Sequence, residues 1–268
     1  MIALPELKDV SVEVTDGVAT VTLNRPESRN VISDAPLVDE LPAVFGVLSA
    51  DDAVRVIVLT GSGSAFSAGG NIRQMQEQGG IFAGSTDQIA DGYRRGIQRL
   101  IRAVVGAEVP VIAAVNGPAI GAGFDLALAC DLRLASTTAR FGETFVNLGL
   151  IPGDGGSWLL PQVVGFQRAC ELAYTARIVD AAEALALGVV LSMHEPDDLM
   201  AAALDLARLI ASKPATALRY TKRLLDRART GTPFAQILDE AASVQAMLHG
   251  TPDHAAAVEA MVNRPRHG

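Results

Sequence analysis

The chain has 268 residues, of which 49% are hydrophobic, and a formal net charge of −8 at pH 7. This length is close to the upper limit for one hydrophobic core, so we predict one large domain with a smaller appendage. The negative charge argues against nucleic acid or an anionic membrane as the main partner, and a mean hydropathy of +0.28 predicts apolar surface buried between subunits.

The N-terminal part of the chain is predicted to alternate strands with helices. Residues 10–14 and 18–23 flank Asp16 and Gly17, a pair that is typical of a two-residue turn between antiparallel strands. Apolar residues then recur with helical spacing from residue 37 to residue 48. The other predicted strands cover 55–59, 109–115 and 131–135, and the other helices cover 91–105, about 143–148 and a stretch that ends near 175.

The C-terminal part is predicted to be helical. From Ala181 onward the pattern is almost wholly helical, with apolar stripes over 201–210, 214–228 and 233–248. Mixed strands and helices followed by helices alone predict two regions. These are a core over residues 1–198 and a helical region over residues 199–268 that packs on the core and on a neighbouring subunit.

Two glycine-rich segments, 66–71 and 116–125, carry the clearest functional signal. Each follows an apolar, β-branched run and breaks into glycine and alanine where a helix should begin, which leaves backbone N–H groups unpaired. Two such amides can hold one oxyanion, and losing one donor typically costs about a hundred- to a thousandfold in rate. The alternative interpretation of the glycines alone is that they only allow a strand and a helix to pack closely.

Several common signatures are missing from the sequence. It has no Gly-x-x-x-x-Gly-Lys phosphate loop, no His-Glu-x-x-His zinc helix and no Gly-x-Ser-x-Gly nucleophile elbow, so we expect no catalytic metal and no redox cofactor. The uncharged apolar stretch 109–124 is shorter than the roughly twenty residues of a membrane span. The first residues lack the features of a secretory signal, so a cytoplasmic protein without a membrane partner is expected.

Four segments resemble, in order and spacing, the successive motifs of the enoyl-CoA hydratase/isomerase, or crotonase, family. They are residues 23–30, 56–71, 114–131 and 139–143. The resemblance covers nearly the whole chain. It implies an α/β crotonase (ClpP-like) spiral of repeated ββα units with a C-terminal helical subdomain. It also implies a homo-trimer or hexamer that acts on an acyl-CoA thioester, with coenzyme A as part of the substrate.

Carried over residue by residue, the resemblance implies that the oxyanion-binding amides belong to Gly70 and Ala122 and that the first catalytic carboxylate is Asp125. Ala122 and Asp125 are three residues apart, so they share one helix face. An acid in an otherwise apolar run is costly unless it is paired or functional, and its burial raises the pKa toward useful values. The alternative is a carboxylate that only complements the positive end of its helix.

The chain departs from the family pattern after Gly142. Where hydratases with two glutamates carry the second catalytic carboxylate, this chain has Phe145, which neither donates nor accepts a proton. Glu143 lies two residues earlier and is expected on the opposite face of the predicted helix. Asp154 is the other candidate, because some isomerases and ring-modifying members resemble this loop but carry their aspartate at the position of Gly153. Its alternative role is that of an ordinary turn residue.

The resemblance also implies the segments that contact the substrate. The predicted substrate-binding residues are Arg29, Val31, Ala68, Gly69, Asn71, Ile72, Ile120, Gly121 and Phe145. Coenzyme A phosphates need cations, for which Arg29 and Arg73 are candidates, although a solvated surface arginine is the default interpretation of each. Arg264 and Arg266 are candidates for reaching the site of a neighbouring subunit.

These features predict an acyl-CoA thioester enzyme that passes through an enolate-like state. The first hypothesis is an enoyl-CoA hydratase, in which Asp125, with Asp154 as a possible second group, moves the proton or activates water. Because Phe145 replaces a carboxylate, a double-bond isomerase or a related enolate reaction is the alternative. A hypothesis of another class is an acyl-CoA-binding protein without catalytic activity. The sequence leaves the acyl group open.

Overall fold

The computed structural model describes residue 4 and residues 6–34 and 36–263, and within this part of the chain there are nine strands and twelve α-helices. The strands are β1 (Val10–Thr15), β2 (Val18–Leu23), β3 (Val56–Gly61), β4 (Val111–Val115), β5 (Ala119–Ile120), β6 (Leu132–Ser136), β7 (Arg140–Gly142), β8 (Val179–Asp180) and β9 (Ser192–His194). The helices are α1 (Leu37–Ala50), α2 (Ile72–Glu77), α3 (Thr86–Arg95), α4 (Ile97–Val105), α5 (Ala122–Ala129), α6 (Gly156–Val164), α7 (Phe166–Thr175), α8 (Ala181–Ala186), α9 (Leu199–Ala211), α10 (Ala215–Arg229), α11 (Phe234–His249) and α12 (Pro252–Val262).

The larger sheet has six strands in the order β1-β2-β3-β4-β6-β9. Strands β1 and β2 form the predicted hairpin, and the turn residues Asp16 and Gly17 both have positive φ values, 51° and 79°. Such a turn twists in the same sense as the strands that it joins. The other neighbours in the sheet pair in parallel.

Both faces of this sheet are covered, which explains why its central strands are apolar without alternation. All residues of β3 and β4 are buried. Helices α1, α4 and α5 supply the core on one face, and α9 covers the other face with Ala203, Ala207 and Ala211. Alanines on α9 let the helix lie close to the parallel strands, as expected for a sheet buried on both sides.

The smaller sheet has three strands in the order β5-β7-β8 and lies where the two glycine-rich segments meet. Strand β5 pairs in parallel with β7, and isolated parallel bridges join Ser67 to Ala119 and Val31 to Gly69. These pairings bring together four parts of the chain that are far apart in sequence, around residues 31, 67–69, 119–120 and 141–142. They therefore set the backbone geometry of the candidate site.

The structure differs from the sequence predictions in a few elements. The helix predicted at about 143–148 is a short 3₁₀ turn, Phe145–Leu148. The helix predicted over 91–105 is interrupted at Gly96, and the one ending near 175 is interrupted at Gly165, whose φ is 80°. Strand β9 lies in the stretch that was predicted to be helical, because its short run pairs with β6 at the edge of the sheet.

The C-terminal helices differ in how they are buried. Helix α10 is tied to the sheet by Lys222, whereas α11 and α12 have no buried residue and expose Phe234, Met247 and Met261. The domain boundary at residues 198 and 199 stays a prediction. No helix in the described ranges is long and apolar enough to cross a membrane.

Replacing Lys222 by alanine is predicted to loosen α10 from the core. Lys222 is 7% exposed, and its ammonium group donates to the Val109 carbonyl at 3.0 Å and to Asp131 Oδ2 at 2.7 Å. Removing it leaves the buried Val109 carbonyl and the partly buried Asp131 carboxylate short of a donor, so Lys222→Ala is expected to lower the free energy of unfolding by about 3 kcal/mol. Urea denaturation measures this, with Lys213→Ala, at an exposed position, as the control. Equal effects of the two changes would contradict the assigned role.

Candidate active site

Two glycines allow the two predicted oxyanion segments to touch. A Cβ on Gly69 would collide with the Ile120 carbonyl oxygen and would lie 3.1 Å from the Ala122 nitrogen. A Cβ on Gly123 would collide with the Ser67 carbonyl oxygen. Any side chain at either position would force the segments apart, so glycine is required there for the close backbone approach.

The hydrogen bonds around these segments leave two amides available. The Gly69 amide donates to Ser67 Oγ at 3.1 Å, and the Asn71 amide donates to Ser33 Oγ at 2.9 Å. Between them, the Gly70 amide has no acceptor among the described residues, and neither has the Ala122 amide at the first position of α5. Gly121, with φ 53° and ψ −122°, turns the chain into α5 in a conformation that only glycine adopts readily.

Both segments open onto one cavity with a mainly apolar lining. It is lined by Gly70 and Ala122, by the aromatic residues Tyr93 and Phe145, and by Asp154. The remaining lining residues are Ala68, Ile72, Met75, Ile81, Phe82, Ile97, Ile120, Gly121, Thr144, Leu148 and Leu150. A cavity that joins a few polar groups to a broad apolar wall is the usual form of a small-molecule site.

Three carboxyl groups lie buried next to this cavity. Asp125, Glu143 and Asp154 are 0%, 1% and 4% exposed. The oxygens of Asp125 and Glu143, together with Asp154 Oδ1, have no hydrogen-bond partner in the described structure. A Cβ on Gly156 would collide with both Asp125 Oδ1 and Glu143 Oε1, so these two carboxyl groups converge on the same point from different elements.

Burial in this cluster raises the pKa of every member. Desolvation raises the pKa of Asp154 to about 6. Desolvation, followed by the charge of Asp154, raises the pKa of Glu143 to about 7, although the adjacent Asp125 carboxyl group opposes the rise. The pKa of Asp125 lies well above its ordinary value because of desolvation and the charges of Glu143 and Asp154, against a smaller opposing effect of the Gly156 amide. The cluster therefore holds protons near neutral pH, where acid/base catalysis needs them.

The expectation for Glu143, that it lies on the opposite helix face from Phe145, assumed a helix over 143–148. Instead, Glu143 precedes the 3₁₀ turn and follows β7 in a non-helical conformation. Helical spacing therefore does not apply, and its side chain turns inward beside Asp125. A sequence signal was available, since Gly156 leaves room for a buried acid, but only the tertiary structure brings Gly156 to Glu143.

The predicted contact residues lie in three kinds of environment. Ala68, Ile72, Ile120, Gly121 and Phe145 line the cavity. Gly69 and Val31 lie behind it, joined by a parallel bridge.

Asn71 caps α2, because its side chain accepts from the amides of Arg73 and Gln74 and donates to Asp34. Arg29 is exposed, and its carbonyl accepts from the Ala68 amide. Arg73 is exposed as well. Arg264 and Arg266 lie outside the described residues. The functional roles assigned to all these residues stay predictions.

Comparison with known proteins identifies the class. Residues 13–265 match the family model described as enoyl-CoA hydratase/isomerase. A short-chain-enoyl-CoA hydratase of Clostridium acetobutylicum is 38% identical over 225 residues, 83% of this chain and 82% of that protein. The 1,2-epoxyphenylacetyl-CoA isomerase of Escherichia coli K12 is 35% identical and covers 84% of each chain. An enoyl-CoA hydratase structure from Bacillus anthracis has a TM-score of 0.88 at 30% identity over 95% of this chain and 96% of that one.

The architecture is accordingly the crotonase fold, a mixed α/β structure with a helical C-terminal part. The chain belongs to the enoyl-CoA hydratase/isomerase family. Both the family and the fold that the sequence motifs predicted are confirmed. The names of the relatives include hydratases and an isomerase, so they support acyl-CoA chemistry more broadly than one reaction.

Replacing Gly156 by alanine is predicted to disrupt the carboxyl cluster. The added methyl group would collide with both Asp125 and Glu143, and neither side chain has free space in the packed interior. We expect Gly156→Ala to lower the free energy of unfolding by about 2 kcal/mol in a urea titration. Gly153→Ala is the matched control, because a Cβ there is 3.6 Å from its nearest neighbour, the Ile151 carbonyl oxygen. A neutral effect of Gly156→Ala would contradict the proximity of the two carboxyl groups.

Proposed function

We propose that the protein is an enoyl-CoA hydratase that converts a 2-enoyl-CoA to a 3-hydroxyacyl-CoA. The single observation that carries the proposal is that Asp154 lines the same cavity as Gly70 and Ala122, whose amides have no acceptor among the described residues. A thioester oxygen between the two amides would be polarised, and a carboxylate in the same cavity can act on the neighbouring carbons. The relative from Clostridium acetobutylicum, named as a hydratase, supports this reaction.

In the proposed reaction Asp154 acts as both base and acid. Its carboxylate takes a proton from water while the water oxygen bonds to C3, and the electron pair of the double bond moves to give an enolate. The amides of Gly70 and Ala122 stabilise the enolate oxygen. Asp154 then returns the proton to C2, so one molecule of water is added overall. Its pKa of about 6 suits both steps, because the group gains and loses the proton readily near neutral pH.

Asp125 has a less direct part in this proposal. It is fully buried and is not among the residues that line the cavity, whereas Asp154 is. The proton-transfer role predicted for Asp125 therefore stays a prediction, and the geometry favours Asp154 as the group that meets the substrate.

Double-bond isomerisation is the second candidate, and Phe145 is the observation that favours it. Phe145 lines the cavity at the position where hydratases with two glutamates carry a carboxylate, and an aromatic ring does not hold a water molecule in place. With no water, Asp154 could take a proton from one carbon of the enoyl group and return it to another. The relative from Escherichia coli, named as an isomerase, is consistent with this alternative.

We also propose that the protein works as a homo-trimer or hexamer in the cytoplasm. The support for assembly is the exposed apolar side chains of α11 and α12, which have no buried residue within the described chain. Helices with so little burial gain stability from a partner surface. Sedimentation velocity measures the assembly directly.

Asp154→Asn is predicted to reduce turnover by at least about a hundredfold, because it removes the group that transfers the proton. The assay uses crotonyl-CoA and a 3-enoyl-CoA as substrates and resolves the products by mass and by chromatography. The control is Asp52→Asn, at an exposed position.

In the wild type, kcat/KM is expected to rise with pH through about 6 as Asp154 ionises.

Each outcome of this assay has a distinct meaning. Water addition supports the hydratase, and double-bond migration at unchanged mass supports the isomerase. Binding of both substrates without turnover would favour an acyl-CoA-binding protein or another acyl group. Full activity of Asp154→Asn would overturn the assignment of Asp154.

Ala122→Pro is predicted to lower kcat by about a hundredfold or more, because proline has no amide hydrogen to donate to the enolate oxygen. Ala122 is the first residue of α5, a position at which proline is tolerated in helices. Ala122→Ser keeps the amide and is the control. Similar kcat values for the two variants would mean that this amide does not stabilise the reacting oxygen.

A further inference from the structure

The Gly70 amide belongs to a peptide unit that is held from its other side. The carbonyl half of this unit, the Gly69 C=O, accepts a hydrogen bond from the Ile32 amide at 2.9 Å, next to the parallel bridge between Val31 and Gly69. In a planar trans peptide the C=O and the N–H point in opposite directions. The bond from Ile32 therefore turns the Gly70 N–H away from residues 31–33, and the plane of this peptide depends on how that segment is held.

Ser33 holds the peptide that follows. The Asn71 amide donates to Ser33 Oγ at 2.9 Å, and the Ser33 hydroxyl group donates to Asp34 Oδ1 at 3.3 Å. A hydroxyl group donates one hydrogen and accepts through its lone pairs. Because Asp34 takes the hydrogen, the oxygen of Ser33 is left to accept from the Asn71 amide.

The side chain of Asn71 makes a second connection to Asp34. Its Oδ1 accepts from the amides of Arg73 and Gln74 at 3.1 and 3.2 Å. Its Nδ2 donates to Asp34 Oδ1 and Oδ2 at 3.3 and 3.0 Å. The opposite orientation of this amide would set an NH₂ group against two N–H groups and an oxygen against a carboxylate, so the hydrogen bonds fix it. Both the backbone and the side chain of Asn71 are thus tied to Asp34.

Asp34 is itself anchored in the fold. It is 8% exposed, and Arg25 Nη1 lies 3.3 Å from Asp34 Oδ2, while Arg25 Nε lies 3.4 Å from Asp9. A buried carboxylate is stable as an anion only when it is paired and hydrogen-bonded, and Arg25, Ser33 and Asn71 supply these partners. Asp34 is not among the residues that line the cavity, so any effect on a ligand passes through Ser33 and Asn71.

We propose that Asp34 is a positioning residue for the oxyanion site. By accepting from the Ser33 hydroxyl group and from the Asn71 side chain, it holds residues 69–71 in the orientation in which the Gly70 amide binds the thioester oxygen. This inference rests on the proposed function, because it assumes that the Gly70 amide binds that oxygen. The binding can be measured on an acyl-CoA that does not react, so the positioning is tested apart from turnover.

An exchange of the two side chains tests the link between Asn71 and Asp34. Asn71→Asp keeps an oxygen that caps α2, but it replaces the donor to Asp34 by a second carboxylate. The double variant Asn71→Asp/Asp34→Asn restores one donor and one acceptor with the direction reversed, while Arg25 keeps its pairs with Asp9 and Glu27. Gln76→Glu, at an exposed position of α2, adds the same charge and is the control.

Infrared difference spectroscopy at about pH 8, where both carboxyl groups are expected to be ionised, measures the contact with the bound oxygen. The probe is butyryl-CoA labelled with ¹³C at the thioester carbonyl. Donors in an oxyanion site polarise the C=O bond, so its stretch is expected at lower wavenumber in the wild type and in Gln76→Glu than in buffer. Asn71→Asp is expected to lose about half of this shift, and the double variant to recover most of it. An unchanged shift in Asn71→Asp, or a double variant that recovers none of it, would overturn the proposal.

Steady-state kinetics with crotonyl-CoA test the consequence for turnover. Asn71→Asp is expected to lower kcat about tenfold and to change KM less than about threefold, because a displaced donor weakens mainly the interaction with the enolate. The double variant is expected to recover several-fold in kcat. A purely structural role of these residues would not produce recovery, because the double variant carries two changes. A double variant no faster than Asn71→Asp would therefore contradict the proposal.

Ser33→Ala provides a second route to the same answer if the double variant does not fold. It removes the acceptor of the Asn71 amide without changing the charge, so part of the carbonyl shift should be lost, and an unchanged shift would overturn the proposal. If the wild type turns over no enoyl-CoA but the shift follows the variants as stated, the proposed function fails and the positioning role stands. Absence of the shift from the wild type would overturn the positioning role whatever the activity.

Discussion

The close contact between the segment around Gly69 and the start of α5 is the constraint on which the candidate site depends. Two backbones can approach this closely only because Gly69 and Gly123 have no side chains, since a Cβ on either would collide with the carbonyl oxygen of the opposing segment. The parallel bridge between Ser67 and Ala119 fixes the register of the contact. The neighbouring amides are satisfied by serine hydroxyl groups, whereas Gly70 and Ala122 line the cavity and their amides have no acceptor among the described residues.

The buried carboxyl cluster beside this contact lowers the stability of the native state but supplies groups that can exchange protons. Burying ionisable groups without donors disfavours their charged forms, which raises the pKa of Asp154 to about 6 and that of Glu143 to about 7. The same desolvation that weakens the native state at high pH supplies groups that exchange protons near neutrality. Asp154 faces the cavity, while Asp125 and Glu143 lie behind it, so one buried cluster contains groups with different access to a substrate.

Much of the architecture followed from local patterns. The hairpin at Asp16 and Gly17, the buried strands and the long C-terminal helices were predicted because turn chemistry and apolar periodicity are local properties. The family resemblance, confirmed by the comparisons, rested on motifs rich in glycine and asparagine that occur in this sequence in the order and spacing of the family. Short elements were harder to predict from the sequence. Strand β9 and the 3₁₀ turn at Phe145–Leu148 depend on pairing and packing with distant residues, so their own sequences predict them poorly.

The sequence by itself determined the family, the two glycine-rich segments and the candidacy of Asp125 and Asp154, because these depend on residue type and order along the chain. Only the tertiary structure decided which acid faces the cavity and that Glu143 joins the cluster. The physical reason is that burial and electrostatic coupling are properties of space: Gly156 is near Asp125 and Glu143 only after α6 packs against α5. The amino-acid sequence specifies the chemical groups, but their pKa values and their access to a ligand depend on the environment that the folded structure places around them.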